Sequence, residues 1–296
     1  MNYNKWLCKN THSLKGKTVA VSGATGGIGK NLCDFLSMLG ANLVCLDRNF
    51  QKSNTMIADL KVKYPNLSAT HITVDLEDID AVKKAATQLK ELKIDYLILN
   101  AGAYKIPRHK CDSGYDNVFQ INYVSPYYLA RELYPQIKSR GGRVVAVSSI
   151  AHNYSKIDTN DIEFSNVVAS SKVYGNAKRF LTFSLYGFFK NDETLSVVHP
   201  GITLTNITAH YPKFIFAIIK HPMKIIFMSP RKAALCIIYG IFNGTKTNEW
   251  IGPRLFNIWG IPKKRRLNSC DPCEAKQICE ISDKIYNDIT KETVTN

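Results

Sequence analysis

From Thr194 to Asn248 the chain has no aspartate and no glutamate. The longer stretch from Thr194 to Cys270 carries eleven Lys and Arg against one acid, Glu249. About two thirds of the +15 net charge therefore lies in about a quarter of the 296 residues. Such a stretch is either a solvated basic face or a field for something anionic: a lipid surface, an acidic carrier or nucleic acid. No interleaved basic and aromatic strand face accompanies it, so a nucleic-acid partner is not expected. No apolar run reaches the ~18 residues of a membrane span. Residues 1–15 lack the apolar centre of a secretory signal, so a cytoplasmic setting is expected. In that setting the eight cysteines read as reduced thiols, with Cys33, Cys45 and Cys236 in core patterns. Cys270-Asp-Pro-Cys273 with Cys279 falls short of the four ligands of a structural zinc site, so no metal is expected. No linker, repeat or low-complexity tract divides the chain, and one domain over 1–296 is the expectation.

What is present alternates regularly. Lys17 to Ser22 is a short apolar run, followed by the turn Gly23-Ala-Thr-Gly-Gly-Ile-Gly29. Helical apolar spacing follows over Asn31 to Leu39, then a second buried run, Asn42 to Asp47. Further runs at His71–Asp75, Ile94–Leu99, Arg143–Ser148 and Leu195–His199 predict strands. Intervening patterns at Ser53–Tyr64, Asp78–Leu92, Tyr115–Lys138 and Val173–Phe189 predict helices. Repeated strand–helix–strand units with apolar strands predict an α/β, Rossmann-type doubly wound parallel sheet. Ligands of such sheets bind at the carboxyl ends of the strands. Gly23, Asp47, Asp75, Asn100, Ser149 and Pro200 all fall at or just past predicted ends.

Gly23-x-x-x-Gly27-x-Gly29 between strand and helix suits a pyrophosphate, because bare backbone amides at a helix N-terminus face the anion. A tight turn alone would explain it equally well. Tyr174 and Lys178 are four apart, hence on one helix face, where an ammonium can make a phenol a proton donor near neutral pH. Either signal alone is weak, as is Asn122 within a helix or the strand-end pair Ser148-Ser149. Their joint order, with Asn100-Ala101-Gly102 and His199-Pro-Gly-Ile-Thr-Leu-Thr-Asn206, resembles the short-chain dehydrogenases/reductases over roughly residues 14–205. The 25-residue separation of Ser149 and Tyr174 resembles the retinol-dehydrogenase-like branch, as do Ser148-Ser-Ile-Ala-His152 and His199-Pro-Gly201.

The resemblance implies a nicotinamide cofactor supplying hydride, and a catalytic set of Asn122, Ser149, Tyr174 and Lys178. Tyr174 would exchange the proton, Ser149 would place the substrate oxygen, Lys178 would lower the phenol pKa and hold ribose hydroxyls, and Asn122 would hold a relay water. The cofactor would lie along Gly23, Gly27, Ile28, Gly29, Asp47, Arg48, Asp75, Leu76, Asn100, Ala101, Gly102, Pro200, Gly201, Ile202 and Thr205. Asp47 at the second strand's end favours NAD by repelling a 2′-phosphate, while Arg48 favours NADP; the balance leans to NAD. The segment 206–270 is expected to form a substrate lid with a basic apolar region, and 271–296 a terminal helix and tail. Large apolar residues over 211–228 suit a lid over a hydrophobic alcohol or carbonyl, ordinary core packing, or peripheral membrane contact. Trp250-Ile-Gly-Pro reads as the last strand at the sheet edge, and Lys263-Lys-Arg-Arg266 as a solvated loop. An acyl-carrier-dependent ketoreductase and a non-catalytic cofactor-sensing protein remain as alternatives. Relatives often pair through the helices that here carry Asn122 and Tyr174, so a homodimer is considered, although the apolar tail could block that face.

Overall fold

The computed structural model describes residues 2–203, 228–267 and 270–291. The expected strands are all present: β1 (Thr18–Ser22), β2 (Asn42–Asp47), β3 (Ala69–Thr73), β4 (Tyr96–Leu99), β5 (Arg143–Val147), β6 (Leu195–Val198) and β7 (Glu249–Leu255). With β8 (Trp259–Arg266) they form one eight-stranded sheet in the order β3-β2-β1-β4-β5-β6-β7-β8. All pairings are parallel except β7 with β8. Strands β1, β2, β4, β5 and β6 are buried along most of their length, as expected of a sheet covered on both faces, whereas the edge strand β3 buries only Ile72.

Helices α1 (Tyr3–Asn10), α2 (Gly27–Met38), α3 (Phe50–Lys63), α4 (Ile79–Glu91), α5 (Asn117–Phe119), α6 (Ser125–Ser139), α7 (Ser170–Phe189), α8 (Pro230–Phe242) and α9 (Pro272–Lys291) surround it. Two large apolar cores result among the described residues, beside a small cluster of Val118, Phe164 and Val173. One packs Leu32, Phe35, Met56 and Leu235 under α2, α3 and α8. The other packs Val82, Leu133, Phe180 and Ile278 under α4, α6, α7 and α9.

Three sequence expectations need correction. The run Tyr115–Lys138 is not one regular helix: a π turn, Gln120–Val124, joins α5 to α6. Lys263–Arg266 is the end of β8, not a loop, because its backbone pairs with β7 despite side chains that carry no apolar alternation. Trp250 to Pro253 is consequently next to the edge rather than on it. Residues 228–267 contain α8 and the last two strands, in keeping with a helix read from Ser229 to Tyr239 and a strand at Trp250. At the N-terminus Asn2 caps α1, whose Leu7 is buried. The face of α6 and α7 considered for pairing two copies is occupied by α9. Tyr123 donates to Ser282 Oγ at 2.6 Å, and Arg131 is ion-paired to Asp283.

Candidate active site

The strand order reverses between β1 and β4, so their connections leave in opposite directions and a crevice opens at their carboxyl ends. One lobe of it, about 740 Å³, is lined by Gly23, Gly27, Ile28, Gly29, Asp47, Arg48, Asp75, Leu76, Asn100, Ala101 and Gly102. A second, about 260 Å³, is lined by Ser149, Tyr174, Lys178, Pro200, Gly201 and Ile202. Ile28, Asn100 and Gly102 line both, so the lobes adjoin. Seventeen of the expected residues are thus brought to one cleft; Thr205 lies outside the described residues, as does most of 211–228. Asn122 stands behind the cleft rather than in its wall.

The glycine turn has a packing reason. A Cβ on Gly29 would stand 2.1 Å from the Gly23 carbonyl oxygen, so only glycine lets α2 start this close to β1. Gly26 caps α2 with no side-chain hydrogen bond, leaving first-turn amides for an anion in the lobe. Asn100 holds the far wall: its Nδ2 donates to the carbonyls of Ser22 at 2.9 Å and Gly23 at 3.1 Å. Asp47 is buried, with Oδ1 accepting from Thr25 N at 3.1 Å and Thr25 Oγ1 at 2.9 Å, and Oδ2 from Ser53 at 3.3 Å. Burial raises its pKa, and those bonds work against the rise. Arg48 points outward, its side chain 72% exposed and 3.7 Å from Asp75. The bare amides, glycine turn and strand-end carboxylate together fit a nicotinamide dinucleotide. Thr25 and Lys52 also line the lobe and carried no sequence signal.

The residues expected to be catalytic come from three elements. Ser149 ends the β5 connection and caps the short 3₁₀ turn Ile150–Asn153, its Oγ accepting from Ala151 N at 3.2 Å. Ser148 is committed to the core: its hydroxyl is 2.6 Å from that of Thr182. Of the two serines, Ser149 therefore faces the cleft. Tyr174 sits in the first turns of α7, half-buried, with Tyr104 edge-on at 5.4 Å. Gly175 makes this approach feasible, since a Cβ there would lie 2.3 Å from the Ala151 carbonyl oxygen. Lys178, one turn on, is buried and donates to the Val147 carbonyl at 3.0 Å.

The electrostatics differ from the sequence expectation. Burial pushes the Tyr174 phenol up to about 12, opposed by the hydrogen bond with Ser149 and aided by Tyr104. Burial also brings Lys178 down to about 7, and its Nζ is 5.7 Å from the Tyr174 ring centroid. In this state desolvation outweighs the attraction expected between the pair. Asn122 is likewise more structural than foreseen. Its Nδ2 donates to the carbonyls of Ala103 and Val118, both at 2.8 Å, and its Oδ1 accepts from Ala103 N at 3.2 Å. The π turn that carries it is a device common at functional sites.

A short-chain dehydrogenase family model matches residues 17–161. Retinol dehydrogenase 12 of Mus musculus is 30% identical over 212 residues, covering 68% of this chain and 66% of its own length. The chain belongs to the short-chain dehydrogenase family. An oxidoreductase of Schizosaccharomyces pombe, C736.13, whose function is uncharacterised, is 25% identical over 98% of this chain and 90% of its own. The likeness to the mouse enzyme thus spans slightly less than two thirds of that enzyme, whereas that to the yeast protein is nearly end to end. The fold is shared with a crystal structure of an uncharacterised protein from Mycobacterium paratuberculosis, at TM-score 0.72 and 20% identity over 93% of this chain and 95% of the other.

This short-chain dehydrogenase has a buried polar chain behind the serine that the sequence did not reveal. Arg179 pairs with Glu274 of α9 through Nε at 2.7 Å and Nη2 at 2.6 Å. Its Nη1 donates to the His152 carbonyl at 3.0 Å, and His152 Nδ1 donates to the Ser149 carbonyl at 2.7 Å. Burial lowers the Glu274-facing thiol's acidity too: Cys270, 3.3 Å from Arg179 Nη2, is pushed up to about 12. Cys273 is exposed and Cys279 lies against Gly187, so the three cysteines point to different surroundings. A further group went unforeseen. Glu77, His109 and Cys111 bring ligand-type atoms within 4.8 Å of one another at the cleft rim. Asn117 Nδ2 lies 3.1 Å from His109 Nδ1, which makes Nδ1 the acceptor and directs the Nε2 proton to Glu77 at 3.0 Å.

Proposed function

We propose that the protein is an NAD(P)-dependent oxidoreductase that interconverts a hydrophobic alcohol and its carbonyl. The observation that carries this reading is the meeting of Tyr174 and Ser149 in one pocket that opens into the glycine-walled lobe. The dinucleotide supplies or accepts the hydride when bound. In the reductive direction the Tyr174 hydroxyl gives its proton to the substrate oxygen, and in the oxidative direction it takes that proton back. Ser149 Oγ donates to the same oxygen and aligns it. Lys178 spends one N–H on Val147 and keeps two for ribose hydroxyls. Asn122 holds the turn at Ala103, which fixes the wall at Gly102.

The substrate class follows from the second lobe. Tyr104, Ile150, Ala151, Tyr154 and Ile202 give it an apolar lining around the few polar groups that do the chemistry. We read the chain as one domain. NAD is preferred on the argument that the buried Asp47 carboxylate meets a 2′-phosphate unfavourably, while Arg48 is exposed and drawn towards Asp75. The test is a spectrophotometric survey of NADH and NADPH consumption against ketones and aldehydes of increasing apolar size. Rates should rise with apolar size and be higher with NADH. Turnover only of small polar or carrier-bound carbonyls would contradict the substrate class, and a strong preference for NADPH would contradict the cofactor choice.

A further inference from the structure

The outer edge of the sheet ends in a hairpin whose tip is unusually apolar for an exposed turn. Leu255 is 51% exposed, Phe256 84%, Trp259 42% and Ile261 39%. Four of the ten large apolar side chains exposed among the described residues thus fall within seven consecutive positions. The turn also holds an aromatic residue in left-handed backbone, with Phe256 at φ 51° and Asn257 at 58°. Asn and Gly take these positions at little cost, whereas a bulky side chain pays for them. Packing does not repay Phe256, since most of it faces solvent, and a strained exposed residue is a pointer to function.

The hairpin behind this tip is mostly basic. Arg254 precedes the tip, Arg265 Nη1 reaches back to the Arg254 carbonyl at 2.9 Å, and Lys263, Lys264 and Arg266 stand further along β8, opposite Gly252 to Glu249. The acid on the hairpin is Glu249, at its far end and 3.8 Å from Lys264. Lys232 of α8 adds a further cation, its Nζ 3.1 Å above the Trp259 ring centroid. The hairpin is also set beside the substrate lobe. A Cβ on Gly201, a lining residue, would stand 2.8 Å from the Ile258 carbonyl oxygen and 2.9 Å from Pro253.

We propose that the β7–β8 tip docks on an anionic lipid surface, with Leu255, Phe256, Trp259 and Ile261 entering the headgroup–acyl boundary. Aliphatic and aromatic side chains beside a basic cluster are the two components of interfacial binding. Nucleic acid would use the charge and the ring stacking but would leave Leu255 and Ile261 without a partner. The contact would bring the substrate lobe to the phase in which a hydrophobic alcohol is dissolved. This consequence rests on the proposed substrate class, but the docking itself does not.

The test is flotation of the full-length protein with phosphatidylcholine vesicles, with and without phosphatidylserine. The protein should float with the phosphatidylserine vesicles and much less with the neutral ones. Lys263→Glu with Lys264→Glu should weaken that binding by about tenfold or more. Phe256→Ser with Trp259→Ser should weaken it similarly, while turnover of a water-soluble carbonyl and dinucleotide binding stay within about twofold of the parent. Failure of the parent to float overturns the docking whatever its activity. So does binding that neither pair of substitutions changes, or retention on duplex DNA that exceeds retention on phosphatidylserine at equal salt. A parent that floats but turns over no hydrophobic carbonyl overturns the substrate class and leaves the docking standing.

Discussion

Ser148 and Ser149 are chemically identical neighbours with different tasks, and the direction of each side chain decides them. Ser148 is hydrogen-bonded in the core to Thr182, whereas Ser149 lines the cleft beside Tyr174. Ser149→Ala is therefore expected to lower kcat by about 10²-fold with little change in melting temperature. Ser148→Ala should leave kcat nearly intact and cost about 1 kcal/mol in urea unfolding. The reverse assignment would show the opposite pattern. Lys178 carries a stability cost through its burial. Its folded pKa, about 7, lies below the ordinary lysine value, so between about pH 7 and 10.5 the unfolded chain binds a proton that the folded one does not. Stability should rise with pH through that window, and Lys178→Met should remove the rise. At neutral pH that variant should melt higher than the parent while losing turnover; a lower melting temperature would contradict the account.

At the scale of elements, α9 matters because it holds Glu274 against Arg179 and so backs the turn that carries Ser149. Burial disfavours the Glu274 carboxylate, but the bonds from Arg179 and Ile157 outweigh it and hold its pKa at about 2. Glu274→Ala would leave Arg179 buried and unpaired, at a cost of about 3–5 kcal/mol measured by urea unfolding. Little of this could be read from the sequence, because Arg179 and Glu274 are 95 residues apart and neither sits in a pattern that names the other. The strands from β1 to β7 were legible since apolar runs between glycine turns and amphipathic helices have few other uses. β8 was not, because Lys263 to Arg266 takes strand form from its neighbour's backbone rather than from its own side chains. Tyr174, Lys178 and the glycine turn were legible because they are local spacings. Asn122 was legible as a position, but its bonding depends on a π turn that no periodicity announces.

Over the whole molecule, two buried imidazoles set an acid limit. Burial brings both His152 and His199 down to about 4, with the Ser149 carbonyl opposing the shift at His152. The unfolded chain takes up protons below about pH 6.5 that the folded one refuses until about pH 4. Stability should therefore fall as pH drops through that range, and His199→Phe should lessen the slope of melting temperature against pH; an unchanged slope would place the acid limit elsewhere. The sheet itself supplies the larger logic. Its order reverses at β1 and β4, which puts the glycine-walled lobe and the Tyr174 pocket at the carboxyl ends of the strands, while the basic hairpin forms the last edge of the sheet, beside that pocket. The central claim is that Tyr174 exchanges the proton of a dinucleotide-dependent reaction. Its most direct test is Tyr174→Phe, assayed for NAD(H)-linked turnover of a hydrophobic carbonyl and, in parallel, for dinucleotide binding by fluorescence. Turnover should fall by about 10²-fold or more while binding stays close to that of the parent. Turnover retained at the parent's rate would contradict the claim.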